Sequence, residues 1–533
     1  MLIDGRSIPD GERVETDLCI IGCGPAGITV AREVASAGVR VTVLESGGRG
    51  QDPSADRQGA GESVGHPYVG MERTRARGIG GTSLHWKLDA PGDEDWIARP
   101  LDPIDFEARP GVDGSGWPVD AATMEPYYRR AHEIGRLGPF AYQPADWPAE
   151  PDPPFDLPAS EVVTNVVQRV AHTFAEHEHE LTTSNAIAVV HHATVLRLAS
   201  DGTRVTAAEA TSQDGRKFTV VARRFVLATG GIENPRLLLL SRRTGDGVGL
   251  GNEHDLVGRY FMERLSARAG VLVPARPDLM SQAGLYRSHL VDGTRIQGVL
   301  TLAPDVVRRE GLRNAMFWVR ERPRMITSPG VGSLLSMYRL IRRRPFQPGV
   351  VPGHVMRIAR NLPDVTRTFL HYALRQPESA FEVFQLGVQA EQAPNRDSRV
   401  TLGHRRDAHG LPVARLDWRP AEADRESIAR SVELLDGSLR HAGVGRVIHK
   451  IGSESPRPLF TGNWHHMGTT RMDPDPSRGV VDAACRVHST ANLYVAGSSV
   501  FPTAGYANPT LTIVALALRL ADELRAGNWG DAA

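Results

Sequence analysis

Lysine is almost missing from this chain: Lys87, Lys217 and Lys450 are the only three in 533 residues, so arginine carries the positive charge. Basic and acidic residues balance at 62 each, which removes the positive field that a nucleic-acid partner needs. Cysteine is as scarce. Cys19, Cys23 and Cys485 are an odd number without metal-ligand spacing, which excludes a disulfide framework and fits a reducing cytoplasm. No apolar run approaches the length of a membrane span, and the polar opening MLIDGRSIPDGERVETD lacks the basic start and apolar core of an export signal. These absences predict a cytoplasmic globular protein with no nucleic-acid partner and no membrane span. At 533 residues it exceeds what one hydrophobic core supports, so two domains are expected.

What is present begins with DLCII, GCGPAGITVAREVASAG and VRVTVLESGG, which read as strand, glycine turn, amphipathic helix and strand. Gly22, Gly24 and Gly27 have the Gly-x-Gly-x-x-Gly spacing that allows a tight turn, backbone approach to a pyrophosphate and close helix-strand packing. Glu45 closes the second strand, where an acidic side chain accepts from an adenosine ribose and disfavours a phosphorylated one. The residues therefore point to FAD or NAD over NADP. A glycine-rich loop, RARGIGGTSLHWKLDAP, follows, and a proline- and tryptophan-rich stretch from Asp93 to Pro158 predicts an ordered cap.

From Ile187 the pattern turns to strands that return to the nucleotide unit. RAGVLVPA, TRIQGVLTLA and FEVFQLGVQAE predict a second sheet, interrupted by an arginine-rich helical stretch from about Arg320 to Arg375. Arg339, Arg342, Arg343, Arg344 and Arg357 in that stretch read as a solvated helix face, with a lid or oligomer contact as the second reading. The end is a strand, ANLYVAG, a loop, and a helix stopped by Gly527.

HHMGTTRM and the run GVVDAACRVHSTANLYVAGSSVFPTAGYANPTLTIVALALRLADEL resemble the C-terminal signature of the glucose-methanol-choline (GMC) oxidoreductases. ARRFVLATGGIENP resembles the late strand of flavoproteins with two dinucleotide folds, and PTAGYANPTLT is similar to the pyranose oxidase and bacterial glycoside oxidase branch. The resemblance implies a Rossmann-like FAD-binding domain from residues 1–85, 185–265 and 455–533. It implies a cap and substrate domain, built on an antiparallel sheet, from residues 86–184 and 266–454.

By the same resemblance His465 and Asn508 are the catalytic pair, and FAD is the cofactor. A histidine suits removal of a hydroxyl proton near neutral pH, and an amide suits the oxygen on which charge develops. His466 cannot share the task on an extended segment, because neighbouring side chains point to opposite faces. The implied flavin contacts are Arg77, Gly81, Thr82, Ser83, Val195, Ala228, Gly497, Ser498, Asn508, Pro509 and Thr510. His85 matches the position at which relatives bond the flavin covalently, and relatives with non-covalent flavin keep the alternative open.

Glu391 and Asn395 match sugar-contacting positions of the branch, against the plainer reading of a strand end and turn. The implied reaction oxidises a secondary alcohol of a sugar or glycoside, with oxygen or another electron acceptor as second substrate. A non-sugar alcohol and a lyase with non-redox flavin stand as alternatives, and a homo-oligomer is compatible. The chain departs from common family patterns at Asn234, at Ser241-Arg242, at Ala496 and at Arg264, where relatives place a histidine.

Overall fold

The computed structural model describes residues 1–86, 96–148, 153–170, 172–242, 247–322, 328–342, 351–373, 382–449, 460–527 and 529. Strands Leu2–Asp4, Ile187–His191, Val41–Leu44, Arg13–Ile21 and Lys217–Leu227 lie side by side in that order and run parallel, and Leu493–Val495 joins the last of them in parallel. Val205–Ser212 and Ala193–Ser200 extend the sheet antiparallel. Every residue of Val41–Leu44 is buried, as a parallel sheet covered on both faces requires.

Helix Pro25–Ala35 packs on helix Thr510–Ala526, which packs in turn on helix Ala121–Ile134. That last contact alters the expectation of a cap. Met124, Tyr128 and Ala131 are spaced to form one helical stripe, and with Leu101, Phe106 and Trp117 they join the apolar cluster of Leu18, Ile20 and Leu518. Part of the stretch read as a cap is thus core of the nucleotide layer.

The second sheet runs Gly445–Ile448, Leu265–Pro274, Val383–Ala390, Ala315–Arg322, Thr294–Leu302, Val162–Val170 and Trp96–Ala98, with His289–Val291 beside Thr294–Leu302. All its pairings are antiparallel. Helix Glu422–His441 buries Ile428, Val432, Leu435 and Leu439 in the same cluster as Phe317 and Leu386. A small third sheet, Arg399–Arg406, Pro412–Trp418 and Glu62–Gly65, ties the segment after the nucleotide unit to this second layer.

The arginine-rich stretch forms helices Pro329–Arg342, Val351–Arg360 and Leu362–Ala373. Arg357 is exposed and donates through Nε to Ser333 Oγ at 3.1 Å. The side chains of Arg339 and Arg342, and all of Arg343 and Arg344, lie outside the described residues. Cys19, Cys23 and Cys485 are buried and unpaired. Among the described residues no helix is long and apolar enough to cross a membrane.

Candidate active site

A cavity of about 780 Å³ is lined from the nucleotide sheet by Gly22, Gly24 and Glu45, and from the second sheet by Gln389. The three glycines of the turn do different work. Gly22 has φ +105°, and a Cβ there would lie 2.5 Å from the Ala228 carbonyl oxygen; a Cβ on Gly27 would lie 2.0 Å from the Gly22 carbonyl oxygen. Gly24 has room, since an added Cβ would meet only the Gly81 Cα, at 3.8 Å. Its bare surface belongs to the cavity. Helix Pro25–Ala35 starts at this glycine without a side-chain cap, so its first amides remain available to an anion.

Glu45 accepts from the Cys23 amide and from the Gly47 amide, each at 2.9 Å, and keeps lone pairs for a ribose diol. The donor set, the bare glycine and the uncapped helix fit the adenosine diphosphate half of FAD. Arg77 donates from its backbone to Asp56 Oδ1 at 2.7 Å and from Nη1 to Ser46 Oγ at 3.1 Å, beside Glu45.

Gly81, Thr82, Ser83, His85, Val195, Ala228, Gly497, Ser498, Pro509 and Thr510 line the same cavity, so these predicted flavin contacts are brought together. Gly27 stands apart from the lining, consistent with a packing role. Two hydroxyls are already engaged: Ser83 donates to the Gly80 carbonyl at 2.7 Å, and Ser498 donates to the His466 carbonyl at 2.7 Å. His85 Nε2 is buried without a hydrogen-bond partner, 3.9 Å from Asp56 Oδ2.

The other end of the cavity is assembled where residues 262–266 run antiparallel to residues 461–467, through the pairs Met262 with Met467 and Ser266 with Thr461. This pairing sets Glu263 under the His465 segment. Its Oε2 accepts from the Asn463 and His465 amides, both at 3.0 Å, and its Oε1 accepts from the Tyr68 hydroxyl. Burial pushes the Glu263 carboxyl up to about 7 against these donors.

Tyr68 also bonds His466 Nε2 at 2.9 Å, and burial holds His466 down to about 3, so it is neutral; it lines the cavity beside His465 with that ring nitrogen engaged. His465 lines the cavity, and its Nδ1 has no hydrogen-bond partner among the described residues. Burial, then the charge of Arg264, then His466 hold its pKa well below the ordinary histidine value. Asn508 lines the cavity too, and its Oδ1 accepts from Arg264 Nη1. The cavity wall therefore offers a neutral base and an amide together.

Glu391 and Asn395 are not brought to it. Glu391 is fully buried and takes Nη1 and Nη2 of Arg109 on its two oxygens at 2.7 and 2.5 Å, with the Asn314 amide at 3.2 Å, so its carboxylate is spent within the protein. Asn395 closes a turn by donating to the Arg419 carbonyl at 2.8 Å and accepting from the Asp397 amide at 3.0 Å. The strand-end and turn reading describes both.

Sequence reasoning passed over Tyr68, Glu263 and Gln389, which lie far from the signatures they serve. Arg264 had a signal, a departure from the family pattern, without a role. Asn234, another departure, accepts from the Thr229 amide at 2.8 Å and donates to Ser499 Oγ at 3.0 Å, joining the late strand to the segment after Gly497.

A family model described as GMC oxidoreductase matches residues 394–517, the stretch that holds His465 and Asn508. Over that stretch the chain carries the GMC oxidoreductase C-terminal domain. An FAD binding domain model matches residues 125–310, which include strand Lys217–Leu227 and not the Gly22 turn. The chain is 27% identical to the paromamine 6'-oxidase of Streptomyces fradiae over 97% of this chain and 92% of that one. It is 24% identical to the 2-methyl-1,2-propanediol dehydrogenase of Mycolicibacterium austroafricanum over 95% of each.

A shorter match, 33% identical over 26% of this chain and 27% of the other, is to a C-glycoside 3-oxidase of Arthrobacter globiformis. The solved pyridoxine 4-oxidase from Mesorbium loti shares the fold at a TM-score of 0.52 and 18% identity, covering 96% of this chain and 100% of that one. The chain is an FAD-dependent oxidoreductase.

Proposed function

We propose that this oxidoreductase oxidises a secondary alcohol of a sugar or glycoside, at the 2- or 3-position of a pyranose, to the ketone. The observation that carries the reading is the convergence of His465, Asn508 and the glycine turn on one cavity. The glycine turn and Glu45 would hold FAD, which would supply the acceptor for a hydride from the carbinol carbon. His465, neutral at working pH, takes the hydroxyl proton on a ring nitrogen. Asn508 holds the same oxygen while negative charge develops on it.

The sugar class is supported by the likeness to a paromamine 6'-oxidase and a C-glycoside 3-oxidase. Gln389 supports it as well, because its buried Oε1 has no partner among the described residues and a hydroxyl-rich ligand supplies one. His85 is the proposed covalent anchor of the flavin, supported by its free Nε2 in the cavity wall. A non-sugar alcohol is the second reading, favoured by the likeness to a propanediol dehydrogenase.

An anaerobic panel of free pyranoses, O- and C-glycosides, diols and simple alcohols, scored by flavin bleaching and then exposed to air, tests the proposal. Bleaching by pyranosides with a keto product is expected, and reoxidation in air identifies oxygen as the acceptor. Bleaching by diols alone would move the substrate to the second reading, and no bleaching by any alcohol would leave the lyase. For His85, acid precipitation should leave the flavin in the pellet, and a yellow supernatant over a colourless pellet removes the covalent bond.

A further inference from the structure

We infer that Arg264 is a positioning residue of the reacting site, one that turns the Asn508 amide so that its nitrogen faces the ligand. The inference rests on the reading of His465 as the base.

Arg264 is 3% exposed, and among the described residues no carboxylate forms an ion pair with it. Its neighbour Glu263 spends its oxygens on Tyr68 and on the Asn463 and His465 amides. Arg264 Nε is buried without a partner, while Nη1 donates to Asn508 Oδ1 and, at 3.3 Å, to the Tyr506 carbonyl. A guanidinium only donates, so the Asn508 atom it meets must be the oxygen. That fixes the amide.

The nitrogen of Asn508, which makes no hydrogen bond to any described residue, is left to serve a ligand in the cavity that Asn508 lines. An amide nitrogen can donate to the substrate oxygen and cannot take its proton. The acceptor role therefore falls to His465 alone.

The groups facing His465 are Arg264, the neutral His466, Glu263 beneath its backbone, and Tyr68 beyond His466. Arg264 is the cation among them, although burial holds its own pKa down to about 9, and a cation beside a histidine disfavours the imidazolium. A buried cation whose electrostatic partner, Glu263, makes no direct ion pair with it among the described residues is costly in the resting protein. Beside an oxygen that becomes negative during reaction, the same charge lowers the barrier. Arginine at this position therefore does two separable things, orienting an amide and holding off a proton.

Three variants of the holoenzyme separate them. Arg264→Lys keeps the charge, Arg264→Gln keeps a donor for Asn508 Oδ1 without the charge, and Arg264→Leu keeps neither. The readouts are the His465 titration, followed by NMR on ring-labelled histidine and assigned by its loss in His465→Asn, and anaerobic flavin reduction against pH. Flavin content and melting temperature establish that each variant is folded, and Arg264→Lys is the conservative control.

In Arg264→Gln and Arg264→Leu the His465 titration should move up by about one pH unit, and the acid limb of reduction should move with it. In Arg264→Lys both should stay near the parent. On the pH plateau, reduction should fall about tenfold in Arg264→Leu and less in Arg264→Gln. An unmoved titration in the two neutral variants overturns the charge role. Parent rates in Arg264→Leu overturn the orienting role. If instead the parent's acid limb persists in His465→Asn, it is the reading of His465 as base that fails, whatever the Arg264 variants do.

Discussion

The two ends of the cavity are built by different means. At the nucleotide end the surface is mostly backbone: Gly22 and Gly24 within one turn that Gly27 packs from behind, and Glu45 tied to the Cys23 and Gly47 amides. At the reacting end the surface is side chains, and His465, Asn508, Arg264 and Gln389 come from four separate stretches of chain. A site made from one turn tolerates change everywhere except in that turn. A site made from distant side chains depends on the packing that brings them together.

The largest expected effect lies at the reacting end. His465→Ala should slow flavin reduction by a hundred- to ten-thousand-fold, about 3 to 5 kcal/mol of barrier, while flavin content stays at the parent level. A variant that loses flavin together with rate would erase the functional distinction between the ends.

Next in size is the border of the reacting end. Arg109→Met leaves the Glu391 carboxylate buried and unpaired, which should cost about 3 to 5 kcal/mol of unfolding free energy. Glu391→Gln should lose less stability and keep the KM of the parent for its substrate. A large rise in KM with stability intact would return Glu391 to the substrate site.

At the nucleotide end two neighbouring glycines should part company. Gly27→Ala forces a Cβ onto the Gly22 carbonyl and should cost about 1 to 3 kcal/mol of stability, read as a lower melting temperature of the apoprotein. Gly24→Ala should leave that temperature unchanged and loosen FAD about tenfold, ~1.4 kcal/mol, because its Cβ enters the space of the pyrophosphate. Equal melting losses in both would show that the turn is only structural.

The smallest effect concerns Glu263. Burial raises its pKa from 4.5 to about 7, so the folded protein favours the protonated form more than the unfolded chain does. Its contribution to stability is full below about pH 4.5 and is lost as pH rises toward 7. Glu263→Gln should therefore flatten that interval of the melting curve against pH relative to the parent. Parallel curves for the two proteins would remove Glu263 from the pH dependence.

Legibility in the sequence follows the same division. The glycine turn was readable because its geometry is local: three glycines and an acidic strand end suffice to state what the backbone does there. The parallel and antiparallel sheets were readable from their apolar strands, and helix Thr510–Ala526 from its stop at Gly527. Helix Ala121–Ile134 was visible, but not its place against the nucleotide core, because an apolar stripe does not say which surface will cover it. Glu391 was misplaced for a related reason. A carboxylate at a strand end reads as ligand-facing until Arg109, 282 positions away in sequence, is found on it.

By itself the sequence showed a dinucleotide site, whose contiguous glycine spacing constrains it, while FAD, the alcohol chemistry and the preference for His465 over His466 came with the resemblance and remain proposals where the site residues are concerned. Tertiary structure alone decided the state of those groups. It set Glu263 and Tyr68 against the two histidines, emptied Glu391 and Asn395 from the cavity, and brought the unpaired Arg264 against Asn508. Protonation and amide orientation depend on burial and on neighbours distant in sequence, and only the folded chain supplies both.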